Sequence, residues 1–402
     1  MIHTLKNNIR LLHIKAATPV VYCGFAINAG TRDELENEHG IAHFAEHVLF
    51  KGTKKRSSWQ IIDRLEAVGG ELDAYTTKEE TFIYSVVPQK YCERAMELLS
   101  DIVFNSTFPQ SELEKEKTVI LDEIQSYNDS PSELIFDEFE ELIFSNSPLG
   151  RNTLGTEKSL QQFSTNDLQN FISRCYTTDN ILFFVYGNIS FERILKFAEK
   201  YFDVSSSERN FQRNSLKNYS PQNIEAEKDT FQTHCLIGNR AVPFGHKKRL
   251  VQILLNNILG GPLLSSRLNL AVRERNGLVY SIDSSLMPYT NTGVWNIYFG
   301  CDKSNFEKCT DLIYKELDIL RNKEISEKDL KKAKKQFAGQ LLISHQHKEN
   351  YILSAAKTAL HLNSLETQEK ITEKINQITA QELQNIAQEM FDIDKLTTLK
   401  FI

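Results

Sequence analysis

The chain has 402 residues, of which 41% are hydrophobic and 25% charged, and its formal net charge is −6. This length predicts more than one domain, and the balance of residues is that of an ordinary globular protein. The acidic excess argues against the basic surface that nucleic-acid-binding proteins need, so we expect no nucleic-acid partner.

The sequence predicts neither a membrane span nor a secretory signal. His13 and Lys15 interrupt the first apolar run, which excludes the uncharged core that a signal peptide needs. No segment approaches the ~18 continuous apolar residues of a transmembrane helix. The six cysteines include no C-x-x-C pair, which favours reduced, mostly buried thiols in a cytoplasmic protein over disulfides or a cysteine-bound metal.

The first half of the chain alternates between strand-like and helical patterns. Strand-like runs occur at 20–28, 81–87 and 181–186. Helical periodicity occurs at 61–68, 92–103 and 113–127.

The most informative segment lies between the first of these strands and the first helix. Residues 40–50 read GIAHFAEHVLF, and on a helix His43, Glu46 and His47 share one face. The other side is apolar, so the helix should be buried, and buried polar groups need partners. One zinc ion satisfies two imidazoles that are four positions apart on a helix. The pattern is H-x-x-E-H, the reverse of H-E-x-x-H, and it still requires a third ligand.

The helix at 113–127 offers candidates for that ligand. It follows an S-x-x-E sequence at 111–114, which is typical of a helix start. Glu116, Ile120 and Glu123 lie along one face, and Glu123 stands between Ile120 and Ile124, which favours an inward direction. Other acids of this helix are expected to be solvated, and spacing alone does not decide which carboxylate binds metal.

The polar stretch 205–228 is the predicted linker between two halves. Beyond it, strand-like runs occur at 230–237, 278–287 and 294–301, and helical patterns at 250–259, 306–320, 327–345 and 383–390.

A faint repeat relates the two halves. Residues 167–171 and 382–386 each open a helix that leads to a strand, and their offset of 215 is close to half the chain length. Strands occur in adjacent pairs followed by pairs of helices, which predicts an α+β fold whose sheets carry helices on one face. We therefore expect two homologous domains, 1–204 and 229–402, each a mostly antiparallel sheet packed against helices.

Residues 30–53, GTRDELENEHGIAHFAEHVLFKGT, resemble the zinc motif of the pitrilysin/insulinase family of inverted-motif peptidases. The length is similar to the mitochondrial-processing-peptidase-like branch. The resemblance implies one zinc ion held by His43, His47 and Glu123, with Glu46 as general base. It also implies that Glu116, seven residues before the third ligand, hydrogen-bonds a ligand histidine.

A second signature follows Leu259-Gly260-Gly261-Pro262, where SSRLNLAVRERNGLVYSI resembles the family's substrate motif. The resemblance implies that Arg273 and Tyr280 stabilise the transition state. It also implies that the segment Asp73-Ala74-Tyr75 binds the substrate backbone, although the family usually has Asn where this chain has Asp73. Residues 258–263 are the stretch of the second half that corresponds to the zinc-motif helix. They contain no His or Glu, which implies one metal ion per chain.

The resemblance therefore implies a zinc metalloendopeptidase of short or unfolded polypeptides. In such a family the site of a two-domain chain is completed by a second chain, so a homodimer is expected. One alternative is a catalytically silent scaffold, but both histidines and both glutamates are present. A second is the zinc subunit of a heterodimer. A third is a storage or sensor zinc site, which would not need Glu46.

Overall fold

The computed structural model of the protein describes residues 1–216, 218–228 and 230–402. Lys217, in the predicted linker 205–228, and Asp229, the first residue of the predicted second domain, lie outside the described residues.

The strands follow the predicted order closely, with four short additions at 2–4, 10–15, 71–76 and 223–226. In chain order they are β1 Ile2–Thr4, β2 Arg10–Lys15, β3 Val20–Ile27, β4 Glu71–Thr76, β5 Thr81–Pro88, β6 Ile181–Gly187, β7 Asn223–Ala226, β8 Thr233–Ala241, β9 Val279–Pro288, β10 Gly293–Cys301 and β11 Thr397–Phe401.

The helices include every predicted one. In chain order they are α1 Ile41–Leu49, α2 Ser58–Glu66, α3 Cys92–Asn105, α4 Gln110–Asn128, α5 Pro131–Ile143, α6 Glu157–Gln162, α7 Thr165–Cys175, α8 Phe191–Tyr201, α9 Arg249–Gly260, α10 Phe306–Asn322, α11 Glu327–Ser344, α12 Lys348–Leu362, α13 Gln368–Gln377 and α14 Ala380–Met390.

The chain forms two compact units that do not follow its two halves. The first unit comprises Met1–Gln125, Arg151–Asn214 and His347–Leu365. The second comprises Ser126–Gly150, Ser215–Gln346 and Glu366–Ile402. Thus α12 of the second half belongs to the first unit, and α5 of the first half belongs to the second. The predicted division at 205–228 remains a prediction about homologous domains, and these compact units differ from it by two exchanged helices.

The first unit is built on a six-stranded sheet of order β1-β2-β6-β3-β5-β4, antiparallel except for the parallel pair β2–β6. Alternate residues of a strand face opposite sides. Phe25 therefore packs into the core with α1 and α3, whereas Ala26 packs on the other side with Ile352 of α12. The expectation that helices cover only one face is wrong, because α12 returns from the second half of the chain.

The second unit has a five-stranded sheet of order β7-β11-β8-β10-β9, in which only β7–β11 is parallel. Trp295 faces a core shared with α9, α10 and α14, and Val294 faces Phe139 of α5. Helices again cover both faces. The predicted α+β class with mostly antiparallel sheets is confirmed for both units.

The repeated helix–strand element is also confirmed. Both bounds of α14 lie 215 positions after those of α7, and each helix leads into a strand, β11 and β6 respectively. Each starts with a capping box, formed by Ser164 with Asp167 and by Thr379 with Glu382. The same local chemistry therefore starts equivalent helices in the two units.

Within the described residues, no helix combines the length and the apolar character that crossing a membrane requires. All six cysteines are buried and none is in a disulfide.

A buried carboxylate fixes α12 to the first sheet. Glu80 precedes β5 and is 2% exposed. It accepts hydrogen bonds from His361 Nε2 at 2.5 Å, Lys357 Nζ at 3.1 Å and Thr77 Oγ1 at 2.6 Å. Burial alone would raise the pKa of Glu80, but the His361 hydrogen bond and the charge of Lys357 outweigh it and hold the pKa at about 2.

Glu80→Gln should destabilise the protein and reduce its acid sensitivity. A carboxylate whose pKa is depressed on folding stabilises above its ordinary pKa and loses that contribution as the pH falls toward the folded value. We expect Glu80→Gln to lower the free energy of unfolding by roughly 3 kcal/mol at pH 7. In wild type, the contribution of Glu80 to that free energy should fall by roughly 2 kcal/mol between pH 6 and pH 3. Urea unfolding at several pH values measures both. The exposed control Glu66→Gln should behave as wild type, and equal acid sensitivity of Glu80→Gln and wild type would contradict the assignment.

Candidate metal centre

The first two candidate ligands lie on α1, a short helix buried on one side. Ile41, Phe44, Ala45 and Val48 are fully buried in the first core. This apolar contact fixes the rotation of the helix, because its apolar residues must face the core. His43, Glu46 and His47 consequently lie together on the remaining face, as the sequence predicted.

The third candidate ligand comes from α4. Leu113 and Ile120 bury one side of this helix, and Glu123 lies along the same side. Its Oε2 is 3.8 Å from His43 Nε2 and 3.7 Å from His47 Nε2. Candidate ligand atoms of the three residues all lie within 4.8 Å of one another. The Glu123 side chain, whose direction the sequence left undecided, therefore points inward toward the two imidazole rings.

The spacing suits a small cation. Four ligands about 2.0–2.1 Å from a zinc ion in tetrahedral geometry are about 3.3 Å from one another, close to the observed separations. Within the described residues neither ring nitrogen of His43 makes a hydrogen bond, since Nδ1 is buried without a partner and Nε2 faces Glu123 beyond hydrogen-bond distance. A cation at Nε2 would supply a partner for that nitrogen of the buried ring. The donor set of two imidazoles and one carboxylate therefore fits zinc.

The ionisation state of His43 also fits the role of a metal ligand. Burial, and then the neighbouring His47, lower the pKa of His43 to about 3. The ring is therefore neutral at physiological pH, as a metal ligand must be.

Glu116 orients the second histidine. Its Oε2 lies 3.2 Å from His47 Nδ1, and its Oε1 lies 2.7 Å from Lys51 Nζ. Since the ionised carboxylate only accepts, His47 Nδ1 must carry the proton, which leaves Nε2 as a free lone pair facing Glu123. The resemblance implies this contact, and the role of Glu116 at a metal centre remains a prediction.

Glu46 is half-buried on the same face of α1 but is not one of the three converging residues. Burial raises the pKa of Glu46 above its ordinary value, against the opposing influence of Thr76 and His47. A carboxylate with a raised pKa beside a metal site is suited to accept and return a proton.

The predicted substrate segment lies on β4, which packs against α1 and is the last strand of its sheet. The Thr77 amide donates to Glu80 O at 2.8 Å, and antiparallel pairing alternates, so the Ala74 amide points to the free edge. Asp73 Oδ1 accepts that amide at 2.8 Å, while Oδ2 accepts the Tyr84 hydroxyl at 3.0 Å. The Asp73 carboxylate therefore covers the hydrogen-bond donor that a substrate strand would use.

The side chain of Tyr75 points away from this edge. Its ring stacks on Phe82 at 4.9 Å in the cluster that contains α12. Any contribution of Tyr75 to substrate binding must come from its backbone.

Arg273 and Tyr280 lie together in the second unit. Arg273 belongs to a π-helical segment, Asn269–Glu274, and Tyr280 is near the start of β9. The guanidinium lies 5.9 Å from the centre of the Tyr280 ring, and Tyr280 is 84% exposed. Tyr280 is thus open to solvent and Arg273 is partly exposed, while the three candidate ligands belong to the first unit.

Sequence reasoning missed two residues that support the site, Lys51 and Glu34. Lys51 stands four positions after His47, a spacing that could have drawn attention to it. Glu34 lies within the segment that carries the resemblance, but nothing in its spacing shows that its carboxylate contacts the start of α1.

Comparison with known proteins gives two family matches. Residues 10–157 match "Insulinase (Peptidase family M16)", and residues 162–337 match "Peptidase M16 inactive domain". Among solved structures, the peptidase M16 inactive domain from Pseudomonas fluorescens has a TM-score of 0.92 at 18% identity, covering 100% of this chain and 97% of that one. A protease from Helicobacter pylori has a TM-score of 0.88 at 20% identity, with 100% and 99% coverage. Both likenesses show the shared fold.

Sequence relatives are closer. The uncharacterized zinc protease YmxG of Bacillus subtilis is 31% identical, covering 98% of this chain and 96% of the relative. An uncharacterized zinc protease of Rickettsia felis is 32% identical, with 97% and 94% coverage. The mitochondrial-processing peptidase subunit beta of Bos taurus is 31% identical, with 78% and 66% coverage. With these relatives and both family matches, the chain belongs to the insulinase family of peptidases, M16.

Proposed function

We propose that this protein is a zinc-dependent endopeptidase that cleaves short or unfolded polypeptides in the cytoplasm. The observation that carries the proposal is the convergence of His43, His47 and Glu123, with Glu46 beside them on the same helix face. The zinc protease names of the relatives support the choice of metal. The unpaired, buried thiols support the location.

His43 Nε2, His47 Nε2 and the Glu123 carboxylate would hold one zinc ion per chain. When bound, zinc supplies Lewis-acid polarisation of the scissile carbonyl and lowers the pKa of an attacking water molecule. Glu116 keeps His47 in the tautomer that leaves Nε2 free to bind.

Glu46 is the proposed general base. Its carboxylate takes the proton of the attacking water and then delivers it to the leaving amine of the substrate. Burial raises the pKa of Glu46, which makes its carboxylate a stronger base for the first step.

The free edge of β4 is the proposed substrate-binding strand. A substrate in extended conformation can add to a sheet edge through backbone hydrogen bonds, which selects unfolded chains over folded ones. The Ala74 amide is an edge donor next to α1, and a substrate carbonyl would have to displace the Asp73 carboxylate from it. Asp73, Ala74 and the backbone of Tyr75 thus form the proposed substrate-binding segment.

Arg273 and Tyr280 are the proposed stabilisers of the oxyanion that forms during attack. A preorganised donor of this kind contributes about 3–4 kcal/mol to transition-state binding. We propose that they act on the site of a second copy of the chain, in a homodimer.

One alternative retains the metal site but changes the partner. The bovine relative is named as a subunit, so this chain would supply zinc to a different protein in a heterodimer. The mass of the isolated, active protein distinguishes a homodimer from a monomer that needs another chain.

Peptide cleavage should be abolished by a chelator and restored by zinc. Glu46→Gln should retain stoichiometric zinc, since Glu46 is not one of the converging ligands, yet lower kcat about 10²- to 10⁴-fold. A peptide-library assay combined with metal analysis measures both quantities. Cleavage at the wild-type rate by the zinc-free protein, or by zinc-loaded Glu46→Gln, would overturn the proposed function.

Glu116→Gln should weaken zinc binding about 10- to 100-fold, because an amide holds the His47 ring and the Lys51 ammonium less strongly than a carboxylate does. Competition with a fluorescent chelator measures the dissociation constant. Glu114→Gln, an exposed change on the same helix, is the control and should bind zinc as wild type does.

Mixing two inactive variants tests the shared site. A Glu46→Gln chain lacks the base, and a Tyr280→Phe chain lacks the oxyanion donor, so a mixed dimer contains one site with both residues. We expect each mixed dimer to recover up to about half of the activity of a wild-type dimer, since one of its two sites is complete. No recovery after subunit exchange, verified by native mass spectrometry, would count against a site built from two chains.

A further inference from the structure

The helix that carries both histidines cannot cap its own N-terminus. Gly40, the residue before α1, has a φ of 91°, a left-handed conformation that favours glycine. A Cβ atom at this position would lie 2.6 Å from Gly155 Cα and 2.7 Å from Leu154 O. Serine, threonine or aspartate, the usual capping residues, are therefore excluded here, and the first amides of the helix need acceptors from elsewhere.

Glu34 provides two of these acceptors from the preceding loop. Its Oε2 accepts the Gly40 amide and its Oε1 accepts the Ala42 amide, both at 3.0 Å. The residue is 4% exposed, so water does not compete for these bonds. The Ile41 amide donates separately to Glu38 O at 2.9 Å. A carboxylate at this end of a helix also interacts favourably with the helix dipole.

The loop that carries Glu34 is itself held in place. Arg151 Nη1 donates to Glu34 O at 3.4 Å and to Leu35 O at 3.0 Å. Burial raises the pKa of Glu34 above its ordinary value, and the two amides and the charge of Arg151 oppose this rise. The buried carboxyl group therefore needs the Gly40 and Ala42 amides as hydrogen-bond donors, and these amides need its oxygens as acceptors.

His43 depends on this cap more than His47 does. His43 directly follows Ala42, in the first turn of α1, where a helix frays most readily. The His47 ring is oriented by Glu116, whereas Nδ1 of His43 is buried without a partner among the described residues. The position of the His43 ring is thus set by the backbone of the first turn and by packing alone.

We propose that Glu34 is a positioning residue of the metal centre, which holds His43 Nε2 opposite Glu123 by fixing the first turn of α1. This inference rests on the proposed zinc site. Metal ligands need placement within about 0.2 Å, so a small relaxation of the first turn is sufficient to weaken binding.

The test compares the zinc dissociation constants of Glu34→Ala and Glu34→Gln with that of wild type, by competition with a fluorescent chelator. Glu34→Ala loses both acceptors, and we expect about 10- to 100-fold weaker binding, the range of other residues that orient ligands. Glu34→Gln keeps one acceptor oxygen and places an NH₂ group against the other amide, so its affinity should be intermediate. Glu36→Ala, an exposed change in the same loop, is the control and should bind as wild type does.

Two further readouts separate positioning from general stability. Thermal unfolding of the metal-free proteins reports stability, and the visible absorption of the Co²⁺-substituted proteins reports ligand geometry. We expect the Co²⁺ spectra of both variants to differ from wild type at temperatures where their circular dichroism shows full folding. If Glu34→Ala does not fold, Glu34→Gln carries the test.

The outcomes are distinct. Failure of the wild-type protein to bind one zinc ion would overturn the proposed function itself. Normal zinc binding by wild type, together with unchanged affinity and an unchanged Co²⁺ spectrum in folded Glu34→Gln, would overturn the role of Glu34 alone. Lower stability of the metal-free variant with unchanged zinc affinity would also overturn it, since that is the result of a purely structural cap.

Discussion

The site depends on one arrangement: two imidazole nitrogens from a single helical turn face one carboxylate from a second helix, and that carboxylate, on Glu123, lies more than 70 residues further along the chain. All three groups are wholly or partly buried, and without a cation they make poor contacts with one another. Polar groups taken out of water need partners. The first unit holds them together because Phe44 and Val48 on α1 and Ile120 on α4 are locked into the same apolar core.

The two candidate histidine ligands are held by contacts that lie outside their own helix. Glu116 and Lys51 form a charged pair that orients His47, and Glu34 takes the free amides at the start of α1. Behind the sheet, Glu80 binds Lys357 and His361 of α12, which fixes the turn that leads from β4 to β5. Glu116, Glu34 and Glu80 are buried or half-buried carboxylates, and each accepts hydrogen bonds from more than one donor. Removing one of them should therefore cost more stability than removing an exposed surface charge.

In the proposed function, the edge strand β4 connects the candidate metal centre to the substrate. β4 packs against α1 and leaves alternate amides free, and in this chain Asp73 covers one of them, the Ala74 amide. Asp73 contacts the strand edge through a carboxylate oxygen. The Tyr84 hydroxyl and the Ala74 amide together hold that carboxylate in place. In the proposed mode of binding, a substrate carbonyl would therefore have to displace the Asp73 carboxylate from the Ala74 amide.

Local patterns in the sequence determined most of the secondary structure and part of the site. The spacing of His43, Glu46 and His47 sets their common face, because helix geometry depends only on neighbouring residues. The capping boxes at Ser164 and Thr379 likewise place equivalent helices 215 residues apart. Only the tertiary structure decided that Glu123 points inward, that Glu34 reaches the amides of α1, and that α5 and α12 pack in the units of the opposite halves. These features arise from contacts between distant segments, where burial in a shared core, and not local spacing, selects the partner.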